Sequence, residues 1–217
     1  MTPVDLLALV EVDLRPCRLE RRDDRAALVT APDGTAFDLT VQIDRRKLMA
    51  LQEITAHVTG PVVAGEGAAS LILHHTGQVR RTGLAARLRG DADDEVMALR
   101  DRLVGDPDLQ AACLPLDVTR FRVVPIDGRW QAQLRLMGGS HVRTRIPPGG
   151  SYVRLAADQR DALLATVRAL HRVLPATAPE PVTSPMVTTP ESGRRAAGSA
   201  RATSTSHLPS RGHSDVG

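Results

Sequence analysis

Aromatic residues are scarce: Phe37, Phe121, Trp130 and Tyr152 are the only four in 217 residues, and asparagine is missing altogether. So few rings leave little on which successive bases can stack, which argues against single-strand nucleic-acid recognition by aromatic platforms. Lysine is almost as rare, since 27 of the 28 basic residues are arginine and Lys47 is the exception. An arginine surplus beside absent Asn and sparse Ile, Phe and Tyr is the imprint of a GC-rich genome, so it reports codon usage before phosphate binding. The pI is near 9.5, yet the formal net charge is only +3. That is weakly basic, and nucleic acid is not the expected partner. Two cysteines, Cys17 and Cys113, make no disulfide framework and are expected to be reduced, small and buried or half-buried. No uncharged apolar run is long enough to span a bilayer. The opening Met1–Asp5 has no basic region and Glu11 and Asp13 break the first apolar run, so a secretory leader is not expected. These absences point to a cytoplasmic protein that does not enter a membrane.

What is present is a set of alternating segments broken by turn signals. The best determined stretch runs from Thr119 to Leu174. Asp127-Gly128 tolerates positive φ at both central turn positions, so a two-residue primed turn pairs Ile126 with Arg129. Counting outward sets Pro125 against Trp130, Val123 against Ala132, Phe121 against Leu134 and Thr119 against Leu136 on one apolar face. Val124 with Gln131, Arg122 with Gln133, and Arg120 with Arg135 fall on the other. Two strands agreeing on a dry face is a stronger signal than either alone. After a bend at Gly138-Gly139, Val142, Thr144 and Ile146 alternate with His141, Arg143 and Arg145. Pro147-Pro148-Gly149-Gly150 is expected to leave the sheet, with a short strand at Tyr152–Leu155. Leu163, Val167, Leu170 and Leu174 then form a helical stripe, closed by Pro175 and expected to pack on the hairpin's apolar face.

Earlier in the chain, Thr2 and Pro3 read as the cap and first position of a helix ending before Pro16. Cys17–Glu20 reads as a strand, and Ala27–Ala31 with Thr35–Ile43 as a hairpin across Pro32-Asp33-Gly34. Arg46–Val58 fits both periods, with strand favoured in its second half. Ser70–His75 and Gln78–Leu88 are expected to pair around Thr76-Gly77. Asp91 opens a helix with Val96, Leu99 and Leu103 inward, and Asp106-Pro107 starts a second, shorter one. From Pro175 onward six of the fifteen prolines, with Ser and Thr, replace large apolar residues, so a disordered tail is expected. The expectation is an α+β fold: an antiparallel sheet of several hairpins packed against amphipathic helices, as one domain over 1–174, with 175–217 as tail.

Candidate sites are weighed against plainer readings. Val63–Ser70 resembles a nucleotide-binding glycine loop, but that motif needs a helix after it and here a strand follows. Ser140 and His141 are neighbours on an extended chain and point to opposite faces, so they form no nucleophile and base pair. The acids Asp91, Asp93, Asp94 and Glu95 suit a helix start better than a cation site. His74, His75, Arg80 and Arg81 make the densest polar cluster, a possible anion contact or simply a wet hairpin end; successive strand residues diverge, so a shared metal is not expected. Arg120, Arg122, Arg135, Arg143 and Arg145 could line one sheet face and meet an acidic protein or phosphorylated ligand, provided no helix covers it. No catalytic residue, cofactor or metal ligand is assigned.

Leu71–Leu84, the Leu114-Pro115-Leu116-Asp117 segment, and Tyr152–Leu155 followed by Gln159 and Ala162–Leu164 resemble an uncharacterised bacterial family, a domain of unknown function, over about residues 17–174. That resemblance implies no activity and no site residues. The leading expectation is a non-catalytic binding or interaction module. The second is binding of an acidic partner, nucleic acid included, through the arginine face. The third is an enzyme whose site needs a deep pocket gathering His57, His74 or His141 with an acid.

Overall fold

Asp127 and Gly128 both take positive φ, 50° and 69°, and Ile126 pairs with Arg129 across them. This is the primed turn whose twist suits a tight hairpin. Pro125–Trp130, Val123–Ala132 and Phe121–Leu134 follow as counted, but beyond Arg120–Arg135 an irregularity sets Val118, not Thr119, opposite Leu136.

The structure, a computed structural model, describes residues 5–45, 47–62, 69–77 and 81–174. The elements run α1 (Leu6–Asp13), β1 (Arg18–Arg21), β2 (Ala26–Thr30), β3 (Ala36–Arg45), β4 (Met49–Val62), β5 (Ser70–Thr76), β6 (Gly83–Arg89), α2 (Asp94–Gly105), α3 (Pro107–Cys113), β7 (Val118–Ile126), β8 (Arg129–Arg145), β9 (Pro148–Val153) and α4 (Ala157–Val173). All the strands lie in one antiparallel sheet of order β1-β2-β3-β4-β8-β7-β5-β6, with β9 added to β8. The length of β8 explains the layout. Its first half pairs with β7 and its second half with β9, while β4 runs along its other edge.

Helix starts follow their caps. Asp93 and Asp106 accept from the backbone N–H groups of Val96 and Leu109, and Pro107 opens α3. α1 is capped by Asp5, whose Oδ1 accepts from Ala8 N at 3.1 Å; Thr2, the expected cap, lies outside the described residues. Val96, Leu99 and Leu103 of α2 and Leu163, Val167 and Leu170 of α4 are buried in one core with Phe121, Trp130 and Leu134 of the hairpin and Phe37 and Leu39 of β3. Leu174 reaches the sheet: a Cβ placed on Gly60 would lie 3.0 Å from its Cβ.

Four expectations need correction. Pro148, Gly149 and Gly150 stay in the sheet, as β9. An edge strand tolerates them because its outer row of donors has no ladder to complete. Leu155, expected at the end of that strand, lies beyond it as a buried anchor. β6 begins at Gly83, with Arg81 and Thr82 outside the ladder, and Gln78–Arg80, the expected start of the strand, lie outside the described residues. The fourth concerns Arg143. Between the Ile54–Leu136 and Gln52–His141 pairs, two steps on β4 match five on β8, and an odd count reverses which side chains face which way. His141 pairs with Tyr152, whose hydroxyl reaches Asp13 on α1, so His141 and Arg143 share the helix side of the sheet. Arg120, Arg122 and Arg135 are on the other. The tail expectation concerns residues 175–217, which lie outside the described residues.

Candidate functional site: the uncovered face of the sheet

Because α1 to α4 pack on one face, the other carries no element among the described residues. Register lays its side chains in rows across strands about 4.8 Å apart. One row is Arg87, Ile72, Arg122, Gln133, His57 and Asp38. The next is Arg120, Arg135, Thr55 and Thr40. The face therefore divides into an arginine-rich side on β6, β7 and β8 and a polar strip on β3, β4 and β8, where Asp38 is paired with Arg22 at 2.9 Å.

The polar strip is internally bonded. Gln133 Nε2 donates to Gln131 Oε1 at 2.9 Å, and the same oxygen lies 3.2 Å from His57 Nδ1. An oxygen can only accept, so Nδ1 carries the ring proton and Nε2 accepts from Thr40 Oγ1 at 2.8 Å. A neutral ring fits this arrangement, and burial holds the His57 pKa below the usual histidine range against the pull of Gln131 and Asp38.

The arginines are not equivalent. Arg135 donates to Gln42 and stands 3.5 Å from Glu53, a carboxylate only 5% exposed that also accepts from Thr119 Oγ1 at 3.0 Å. Its charge is used to neutralise a buried acid. Arg89, Arg120 and Arg122 have no acid partner among the described residues. Partial burial pushes the Arg122 pKa down, and the neighbouring Arg120, Arg89 and Arg135 push it further the same way. These uncompensated guanidinium groups, with Arg87 in the same row equally unpaired among the described residues, lie beside a hydrogen-bonding strip and are able to hold an anion by charge and forked donors.

The other sequence candidates separate. His74 pairs with Ala85 on the open side, and His75 pairs with Leu84 on the helix side, where burial first and Arg81 second lower its pKa. Arg81 is committed: it donates to Leu114 O at 3.1 Å, Leu116 O at 2.7 Å and Asp117 Oδ1 at 2.7 Å, while Gln159 Nε2 donates to Asp117 Oδ2 at 3.0 Å. That hydrogen bond from Arg81 holds Asp117 below the usual carboxylate range. Arg80 lies outside the described residues, as do residues 63–68 of the glycine loop, after which the strand β5 begins at Ser70. Ser140 is fully buried and bonds Met137 Sδ at 3.5 Å, apart from His141. Among the described residues no group of three His, Cys, Asp or Glu is arranged to hold a metal ion. Both cysteines are free and buried; burial pushes Cys113, 3.6 Å from Thr166 Oγ1, up to about 11. No helix among the described residues is long and apolar enough to cross a membrane.

Sequence reasoning missed Arg89, because its place in the cluster depends on the β5–β6 register. It also missed Asp13. That carboxylate is buried at the end of α1, where Oδ2 accepts from Tyr152 Oη at 2.8 Å and Leu155 N at 2.9 Å and Oδ1 from Arg154 at 3.2 Å. A charged residue closing an apolar helix face was the available signal.

Fold and face together define the class: an α+β protein built on a single antiparallel sheet, helices on one side and a polar, arginine-bearing surface on the other. The chain belongs to the family described as protein of unknown function (DUF3156), whose profile matches residues 12–174. No curated protein and no solved structure matches it.

Proposed function

We propose that the protein is a non-catalytic binding module whose uncovered sheet face takes an anionic partner at Arg89, Arg120 and Arg122. The observation that carries this is the lack of an acid beside these three groups, although Arg135 in the same cluster has Glu53. A solvated basic face needs no such separation of paired from unpaired arginines. A cytoplasmic, bacterial setting belongs to the same reading: the two buried free thiols suit a reducing compartment, and the arginine bias suits a GC-rich genome. The catalytic alternative draws little support: His57 on β4 bonds Thr40 and Gln131, His74 shares its face but stands on β5 with β8 and β7 between them, and His141 lies across the sheet.

Inorganic pyrophosphate titrated by calorimetry at low salt tests the reading. Saturable binding that weakens with added salt, and weakens about tenfold in Arg122→Gln while the circular dichroism melt is unchanged, is the expected result. Binding equal in the wild type and Arg122→Gln, or no heat at millimolar pyrophosphate, overturns it.

A further inference from the structure

Building on that reading, we infer that the anionic partner is an extended acidic polypeptide segment, with carboxylates on alternate residues, laid along β7. Arg120 and Arg122 are two residues apart on one strand, so their side chains leave the sheet about 6.8 Å apart. An extended peptide repeats its own same-side groups at that distance, and acids at i and i+2 therefore meet both guanidinium groups without bending. Arg89 continues the series. It faces Ser70, one same-side step beyond Ile72, and Ile72 pairs with Arg122, so an acid at i+4 comes within reach of a third long side chain.

The rest of the face suits a polypeptide better than other polyanions. Phe37, Phe121 and Trp130 are buried on the helix side, and Tyr152 is bonded to Asp13 there. The open face thus offers no Phe, Tyr or Trp ring on which a nucleobase could stack, and the His57 imidazole is held by Thr40 and Gln131. What flanks the arginines is a strip of amide, hydroxyl and imidazole groups, Gln131, Gln133, Thr40 and His57, bonded to one another, in which the Gln131 amide nitrogen and the Gln133 amide oxygen carry no bond within the strip and can meet a peptide backbone. The chain's own residues 175–217 do not fit as the occupant, because they carry four arginines against three acids.

Fluorescence anisotropy with two labelled peptides of equal charge tests the inference: an Asp-Ser repeat and an Asp-Ser-Ser repeat, each with four aspartates. In the second, neighbouring acids alternate sides of an extended chain. The expected outcome is that the Asp-Ser repeat binds about tenfold tighter, that Arg120→Gln and Arg122→Gln each remove most of that advantage, and that Arg102→Gln on α2 leaves it intact. Equal affinity for the two peptides refutes the alternate-acid segment while pyrophosphate binding keeps the broader anion site standing. A single-stranded oligothymidylate binding tighter than the Asp-Ser repeat refutes the polypeptide class. If neither peptide nor pyrophosphate binds, both proposals fall together. An oligomer that dissociates with salt, seen by light scattering at every concentration tested, would mean that a second copy occupies the face and would also overturn the inference.

Discussion

Replacing Asp13 with alanine tests whether a single buried carboxylate joins α1 to the segment between β9 and α4. The side chain is 2% exposed and accepts from three residues: Tyr152, Leu155 and Arg154. These bonds differ in what their loss costs. The Leu155 N–H is buried, so orphaning it costs about 2–3 kcal/mol. The Tyr152 hydroxyl is only partly buried and adds about 1 kcal/mol. Arg154 is 77% exposed, so its ion pair is screened and contributes little. Asp13→Ala is therefore expected to cost about 3–4 kcal/mol, which is about 10 °C in Tm for a domain of this size. Asp13→Asn retains an oxygen that can accept from Leu155 and Tyr152, and is expected to lose about 1–2 kcal/mol. Urea unfolding followed by the fluorescence of Trp130, the sole tryptophan and a buried one, measures both. A loss below about 1 kcal/mol for Asp13→Ala, or equal losses for both variants, would refute the assignment of the energy to the Leu155 and Tyr152 bonds.

Two further outcomes follow from the structure. His57 and His75 are both held below the ordinary value of 6.5, chiefly by burial, so the unfolded chain takes up protons first as pH falls. Stability is full above about pH 6.5 and declines below it, and His57→Gln flattens that decline; urea midpoints at pH 8, 7, 6 and 5.5 that do not move would contradict this. Gly139 has φ of 81°, and a Cβ there would lie 2.6 Å from Ile54 Cδ1, whereas at Gly149 the nearest atom is Thr144 Oγ1 at 3.6 Å. Gly139→Ala should cost about 2–4 kcal/mol and Gly149→Ala less than about 0.5 in the same denaturation assay.

Among the segments on which the family resemblance rests, Leu71–Leu84, Leu114–Asp117 and Gln159 meet in space, while Tyr152–Leu155 closes on α1. Arg81 binds the Leu114–Asp117 segment, Gln159 binds Asp117, and the Tyr152–Leu155 segment closes on Asp13. What those residues share is the joining of helices to sheet, which explains why a recognisable pattern carried no hint of a ligand. The open-face arginines were partly legible. Arg120, Arg122 and Arg135 followed from the alternation around Asp127-Gly128, because that turn sets the register locally. Arg143 did not, because a bulge consumes an odd number of residues and nothing local in Gly138–Ser140 states how many.

Local chemistry therefore settled the elements: paired positive-φ turns, aspartate caps, the stripe of α4 and the dry faces of two hairpins are all written within a dozen residues of where they act. Only the tertiary structure decided that all the helices lie on one side of the sheet, that Glu53 takes Arg135 and leaves Arg89, Arg120 and Arg122 without an acid, and that Asp13 is enclosed. The physical reason is range. Backbone geometry and side-chain alternation act between near neighbours, whereas the pairing of charges depends on strand order and register between segments far apart in the chain.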